Sequence, residues 1–227
     1  MERIHYRLLA DLLEYPNAGY PQRVQVLSAF LDRQYVKAAT ELDQFIAHLP
    51  SHDLLLMQEL FTRSFDVQAI TTLDVGYVLF GDDYKRGEML ANLNREHNAA
   101  GIDCGTELAD YLPNLLRLLA VLEDEELVDD LVKGVLAPAL LEMIGEFDPA
   151  RVEKRNVSYI KHYKTLIETP AVACTAVTLY QFALTTLYQV LKQDFTLIEK
   201  ISLKLTSDFL NSVSRENSIE ETANLQY

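Results

Sequence analysis

VQAITTLDVGYVLFG, residues 67 to 81, decides the fold class. It is β-branched and aromatic enough to pass for a strand. No second convincing strand stands elsewhere in the chain to pair with it, and a lone strand is not stable. The segment therefore reads as an irregular or short helical connection, apolar enough to be buried. With it assigned that way, nothing in the chain argues for a sheet, and the expected architecture is all-α.

The flanking sequence has helical periodicity. Ile4, Leu8, Leu9, Leu12 and Leu13 mark one face of an opening helix. Tyr15-Pro16 ends it, because the residue before a proline is pushed out of helical geometry. Pro21 restarts a second helix in its first turn, with Val24, Leu27 and Leu31 along one side. Pro50 separates a third helix from a fourth, on which Met57, Phe61 and Phe65 recur at helical spacing.

After Gly81, the predicted helix is capped by Asp82 and runs to about Ala100, closed by Gly101. Thr106 to Leu122 reads as another helix, with Asp110 a second possible cap ahead of Pro113. Helices over Glu125 to Phe147 and Pro149 to Glu168 follow, then an uncharged one and a last one through Leu210. The expectation is a single-domain bundle of roughly eight to ten helices over residues 1–211. The polar stretch 212–227 is expected to be a disordered tail.

Composition narrows the function. The chain has 227 residues and a formal net charge of −14. That balance argues against general nucleic-acid binding, which needs a basic patch, and suits a basic partner. Two cysteines, Cys104 and Cys174, stand far apart without metal-ligand spacing, so no zinc site or disulfide framework is expected. The N-terminus lacks the unbroken apolar core of a signal peptide. Pro170 to Leu191 is uncharged and long enough to span a bilayer, but its Thr, Gln and Tyr content favours a helix buried inside a bundle. These features predict a cytoplasmic protein without direct membrane insertion.

The densest chemistry lies in FGDDYKRGEML, residues 80–90. A phosphate loop would need more glycines, and acids at a helix start repel phosphate. Asp82 and Asp83 could be metal ligands or an acid/base pair. Adjacent helical residues point about 100° apart, however, and no DxDxDG or HExxH motif accompanies them. No GxSxG is present and neither cysteine has an activating context, so no catalytic or metal-binding residue is assigned. What remains is a helix start with a specific surface. Arg86 shares a stripe with Met89, Leu90 and Leu93, so its guanidinium needs a carboxylate or carbonyl partner. Asp66, Glu107 and Asp110 are the candidates. The cluster serves either as an internal tie or as part of a groove for a bound peptide.

The run ELFTRSFDVQAITTLDVGYVLFGDDYKRGEMLANL, followed by GIDCGTELADYLPNLLRLL, resembles the nitrate reductase molybdenum-cofactor assembly chaperones (the NarJ, or delta-subunit, type) of the wider TorD-like family of redox-enzyme maturation proteins. Phe65-Asp66 ends a helix. Gly81-Asp82 with Arg86-Gly87 follows an aromatic run. Glu107-Leu108-x-Asp110-x-Leu112-Pro113 opens the next helix. LLADLLEYP resembles the family's opening helix. The pattern departs at Ala109 and Tyr111, where the family often has Pro and His.

The resemblance implies a TorD-like all-helical cytoplasmic protein that is not an enzyme. Such a protein binds the N-terminal segment of the catalytic subunit of a molybdenum oxidoreductase. It keeps that client competent for insertion of molybdopterin guanine dinucleotide and holds no permanent cofactor itself. The peptide groove would comprise Tyr77, Phe80, Asp82, Asp83, Arg86, Glu107, Asp110 and Tyr111, with Asp66 and Arg86 as a structural tie. The last three of the groove residues are expected on one facing helix. The protein would be a monomer or weak homodimer. The client is left open among nitrate reductase and the nitrite, chlorate, selenate, ethylbenzene and dimethylsulfide enzymes. The alternative from another class is a small helical enzyme or nucleotide-binding protein.

Overall fold

The proline and aspartate positions set where the chain turns. In α1 (His5–Leu12) the buried residues are His5, Tyr6, Leu9, Ala10 and Leu12, while Ile4 is exposed. Leu9, Leu12 and Leu13 of the aliphatic stripe read in the sequence are buried as expected, whereas Ile4 is not, and His5 and Tyr6 widen the buried face. The cause is polar: His5 and Tyr6 are drawn inward by hydrogen bonds to Asp194. The computed structural model describes residues 3–154 and 178–197.

Pro21 occupies the first turn of α2 (Tyr20–Gln34), where a missing N–H costs nothing, and Val24, Leu27 and Leu31 are buried as their spacing predicts. Tyr35 joins it to α3 (Val36–His48). Asp53 caps α4 (Leu54–Phe65) by accepting the Leu56 N–H at 3.0 Å. Met57, Phe61 and Phe65 face inward. The Phe61 and Phe65 rings meet edge-on at 5.1 Å, and both meet Tyr180.

Residues 66–74 form an irregular connection, followed by the six-residue α5 (Val75–Phe80). The described residues contain no strand, only an isolated antiparallel bridge between Asp74 and Tyr111. Gly81 follows at φ 58°, ψ −133°, a conformation that suits only glycine. The cap of α6 (Tyr84–Ala99) is Asp83, which accepts the Lys85 N–H at 2.9 Å, and not Asp82. Gly101 at φ 67° closes that helix as expected.

The expected helix from Thr106 is shorter at its N-terminal end. α7 spans Leu112–Leu119 with Pro113 in its first turn and Tyr111 as its N-cap. Residues 107–111 stay non-helical because their backbone serves α5. Val75 N–H donates to Asp110 C=O at 2.9 Å and Leu112 N–H to Leu73 C=O at 2.8 Å. Gly105, at φ 62°, marks the turn before them.

α8 (Glu125–Asp130) runs through a π-helical segment, Leu131–Leu136, into α9 (Ala137–Glu146). The π turn precedes Pro138, whose missing N–H and ring an unbroken α-helix cannot accommodate. A further helix starts at 149. α10 (Leu179–Asp194) takes up the uncharged segment from Leu179 and continues past its end at Leu191 to Lys192 and Asp194. The tail predicted at 212–227 and the helix predicted through Leu210 lie outside the described residues.

The result is an all-α protein. α10 packs on α3, α9 and α4, α1 packs on α2 and α7, and α5 lies on α6, α9 and the π segment. Thr185 and Thr186 of α10 return their hydroxyls to the carbonyls of Gln181 and Phe182, each at 2.8 Å, which lets a modestly hydrophobic helix sit inside. Among the described residues no helix is long and apolar enough to cross a membrane.

Candidate functional site

The site is built around Asp110. Its side chain is fully buried and accepts the Arg86 Nε–H at 3.0 Å and the Gly76 N–H at 3.2 Å. The guanidinium also reaches Asp74, Nη2 to Oδ2, at 3.2 Å. One cation on the first turn of α6 thus joins the chain entering α5 to the chain entering α7. Arg86 does not pair with Asp66, which lies exposed at the end of α4, so the expected Asp66–Arg86 tie is corrected to Asp110–Arg86–Asp74. The physical reason is the Asp74–Tyr111 bridge, which carries both true partners past the start of α6.

The node sets several charges. Burial pushes the Asp74 carboxyl above the ordinary carboxylate range, and the Asp110 charge adds to this; Arg86 offsets only part of it. Burial works against the Arg86 charge, but the hydrogen bond and charge of Asp110 outweigh it and hold the guanidinium firmly protonated. Burial also raises Glu107, reinforced by Asp74, Asp66 and Glu14. Tyr111 is raised by burial and then by Glu14, Glu107 and Asp66. Asp66, Asp74, Glu107 and Glu14 therefore share one acidic field around half-buried Tyr111. Buried His97 contacts Ala109 C=O through Nε2 at 3.1 Å, holding the residue beside Asp110.

Gly76 has no room for a side chain. A Cβ there would lie 2.7 Å from the Asp110 carboxylate and 3.2 Å from Cγ of Arg86. Gly76→Ala is expected to cost about 1–3 kcal/mol, the usual penalty for overpacking a tight interior. Urea unfolding checks it; a loss under roughly 0.5 kcal/mol, as at an open surface position, would contradict the close packing.

The surface above the node is aromatic. Tyr77 is 44% exposed and Phe80 38%, while Tyr84 opens α6 at 76%. The Arg86 guanidinium carbon lies 5.3 Å from the centroid of the Tyr77 ring. Asp82 and Asp83 are exposed in the turn between α5 and α6. Glu107 is exposed, but it and Asp110 precede α7 instead of lying on it, and Asp110 is too deeply buried to line a groove. The structure thus brings together Tyr77, Arg86 and Asp110 by contact, and Glu107, Asp66 and Tyr111 by their shared field. Asp74 and Gly76 are the members that the sequence analysis missed. A glycine within an apolar run is the signal that could have pointed to a close backbone approach.

Among the described residues no group of three or more His, Cys, Asp or Glu is placed to hold a metal ion. Neither a scan of protein-family models nor a search of curated proteins matches the chain.

Proposed function

We propose that the protein belongs to the class of all-helical peptide-binding proteins and uses the α5 face as its docking surface. Within that class, the resemblance carried by residues 59–119 points to an assembly chaperone of a nitrate reductase-like molybdenum oxidoreductase. Its occupant is the N-terminal segment of the catalytic subunit, an apolar and basic amphipathic helix. The protein holds that segment while molybdopterin guanine dinucleotide is inserted into the client. It is not an enzyme, keeps no cofactor of its own and works in the cytoplasm as a monomer or weak homodimer.

The observation that carries this reading is the pairing of exposed Tyr77 and Phe80 with the acidic field of Asp66, Asp74 and Glu107. Exposed aromatics offer area to an apolar helix face, and the acids complement its basic flank. The net charge of −14 supports the same partner.

Titration calorimetry with a peptide copying the first ~15 residues of the organism's nitrate reductase catalytic subunit tests it. Binding is expected, and it weakens as salt rises. Absence of binding would sink the reading, and salt-independent binding would remove its charge argument. Replacing Asp82 and Asp83 together with Asn is expected to leave the fold intact, since Asn also caps helices. Peptide affinity should fall by about 0.2–1 kcal/mol per exposed pair and by less at high salt. Unchanged affinity would reduce both acids to helix-start residues and leave Glu107 as the cation partner.

A further inference from the structure

We infer that Arg86 is a positioning residue for peptide recognition and acts through Tyr77; this rests on the peptide-docking reading above. The guanidinium has three engagements. It donates to Asp110 and Asp74, and it lies against the Tyr77 ring. The firmer anchor is Asp110, which is fully buried and also holds the Gly76 N–H. Gly76 is pressed so closely on that carboxylate and on the Arg86 stem that α5 has no freedom to slide at its first turn. The third engagement then fixes the side chain of the next residue. An exposed tyrosine ordinarily samples several rotamers, and ordering it on binding costs affinity. A ring held face-on to an immobilised cation has made that choice already.

The same contact selects what Tyr77 takes from the partner. The electron-rich faces of the ring are its attraction for a cation, and Arg86 already draws on it. A second cation there would face the guanidinium through the ring. The outer face is therefore suited to an apolar side chain of the peptide. The partner's Lys or Arg is directed to Glu107 and Asp66 instead.

A double-mutant cycle on peptide affinity separates this role from simple support of the fold. The probe is the same N-terminal nitrate reductase peptide, followed by calorimetry. Arg86→Lys keeps the charge but loses the planar fork, and Tyr77→Leu keeps an apolar side chain but removes the ring. Each alone is expected to weaken binding roughly fivefold to tenfold. In the Tyr77→Leu background, Arg86→Lys should add less than about twofold, because the residue it acts through is gone. Thermal unfolding, by contrast, should show the stability cost of Arg86→Lys in both backgrounds. Should Arg86→Lys fail to fold, Arg86→Gln replaces it, since its amide still donates to Asp110. Multiplicative losses in the cycle, or full affinity in Tyr77→Leu, would overturn the positioning role while leaving the docking reading in place. No binding by the unmodified protein would overturn both.

Discussion

Arg86→Ala is expected to destabilise the protein by about 3–5 kcal/mol, the range for a buried ion pair that loses one partner. The size follows from Asp110, whose side chain is at 0% exposure. Without the guanidinium its carboxylate keeps the Gly76 N–H but loses the charge that compensated its burial. In a chain of this length the midpoint of thermal unfolding falls on the order of 10 °C. The loss is expected to be strongly non-additive: removing Asp110 as well should restore part of it, because the orphaned charge disappears. A change within roughly 0.5 kcal/mol would mean that Arg86 behaves as a surface residue and that the node has been misread.

The second large effect lies at Asp194. Asp194, the last residue of α10, accepts hydrogen bonds from Tyr6 at 2.7 Å, from Tyr35 at 2.9 Å and from His5 at 2.9 Å. One carboxylate thus joins α1, the α2–α3 junction and α10. Asp194→Ala leaves three donors short, each costing about 1–3 kcal/mol if it stays buried, and a total loss of about 3–5 kcal/mol is expected after relaxation. Asp194→Asn should recover part of it, since the amide oxygen still accepts. Burial alone would raise this carboxyl, but the hydrogen bonds from His5, Tyr6 and Tyr35 outweigh it and hold it below the ordinary aspartate value. A depressed folded pKa contributes stability that is complete above the unfolded pKa and is lost as pH falls through the folded one. The gap between wild type and Asp194→Asn should therefore be widest near neutrality and shrink below about pH 4. Urea midpoints measured across pH check this; a gap independent of pH would remove the carboxylate from the argument.

The all-α class was legible because helical signals are local. Pro21, Gly101 and Pro113 act on their own turns, and each does so in the structure. Phase and pairing were less legible because they depend on residues far along the chain. The buried face of α1 takes in His5 and Tyr6, whose partner Asp194 no spacing within α1 announces. The run from Thr106 has helix-forming residues, yet its last residues before Leu112 are taken up by the bridge to α5. Arg86 had a partner predicted on sound grounds, since a cation on an apolar stripe must have one. Choosing Asp110 and Asp74 over Asp66 required knowing that residues 74 and 111 meet. Of the site residues, the exposed ones could be named from their type alone, whereas Gly76 became meaningful only once Asp110 was seen against it.

The contact between His5 and Asp194 spans 189 residues of sequence, which has a consequence for how the chain is made. α1 is synthesised 189 residues ahead of the carboxylate that completes its buried polar face. At roughly 5–20 residues per second, about 10–40 s separate the synthesis of the two. During that interval His5 and Tyr6 are solvated, and α1 has only part of its docking surface. A protein proposed to shelter a segment of another nascent chain thus has a helix of its own that waits, half-docked, for a distant partner. Ribosome-stalled chains that end before Asp194 and chains long enough to expose it should differ most in the protease resistance of α1.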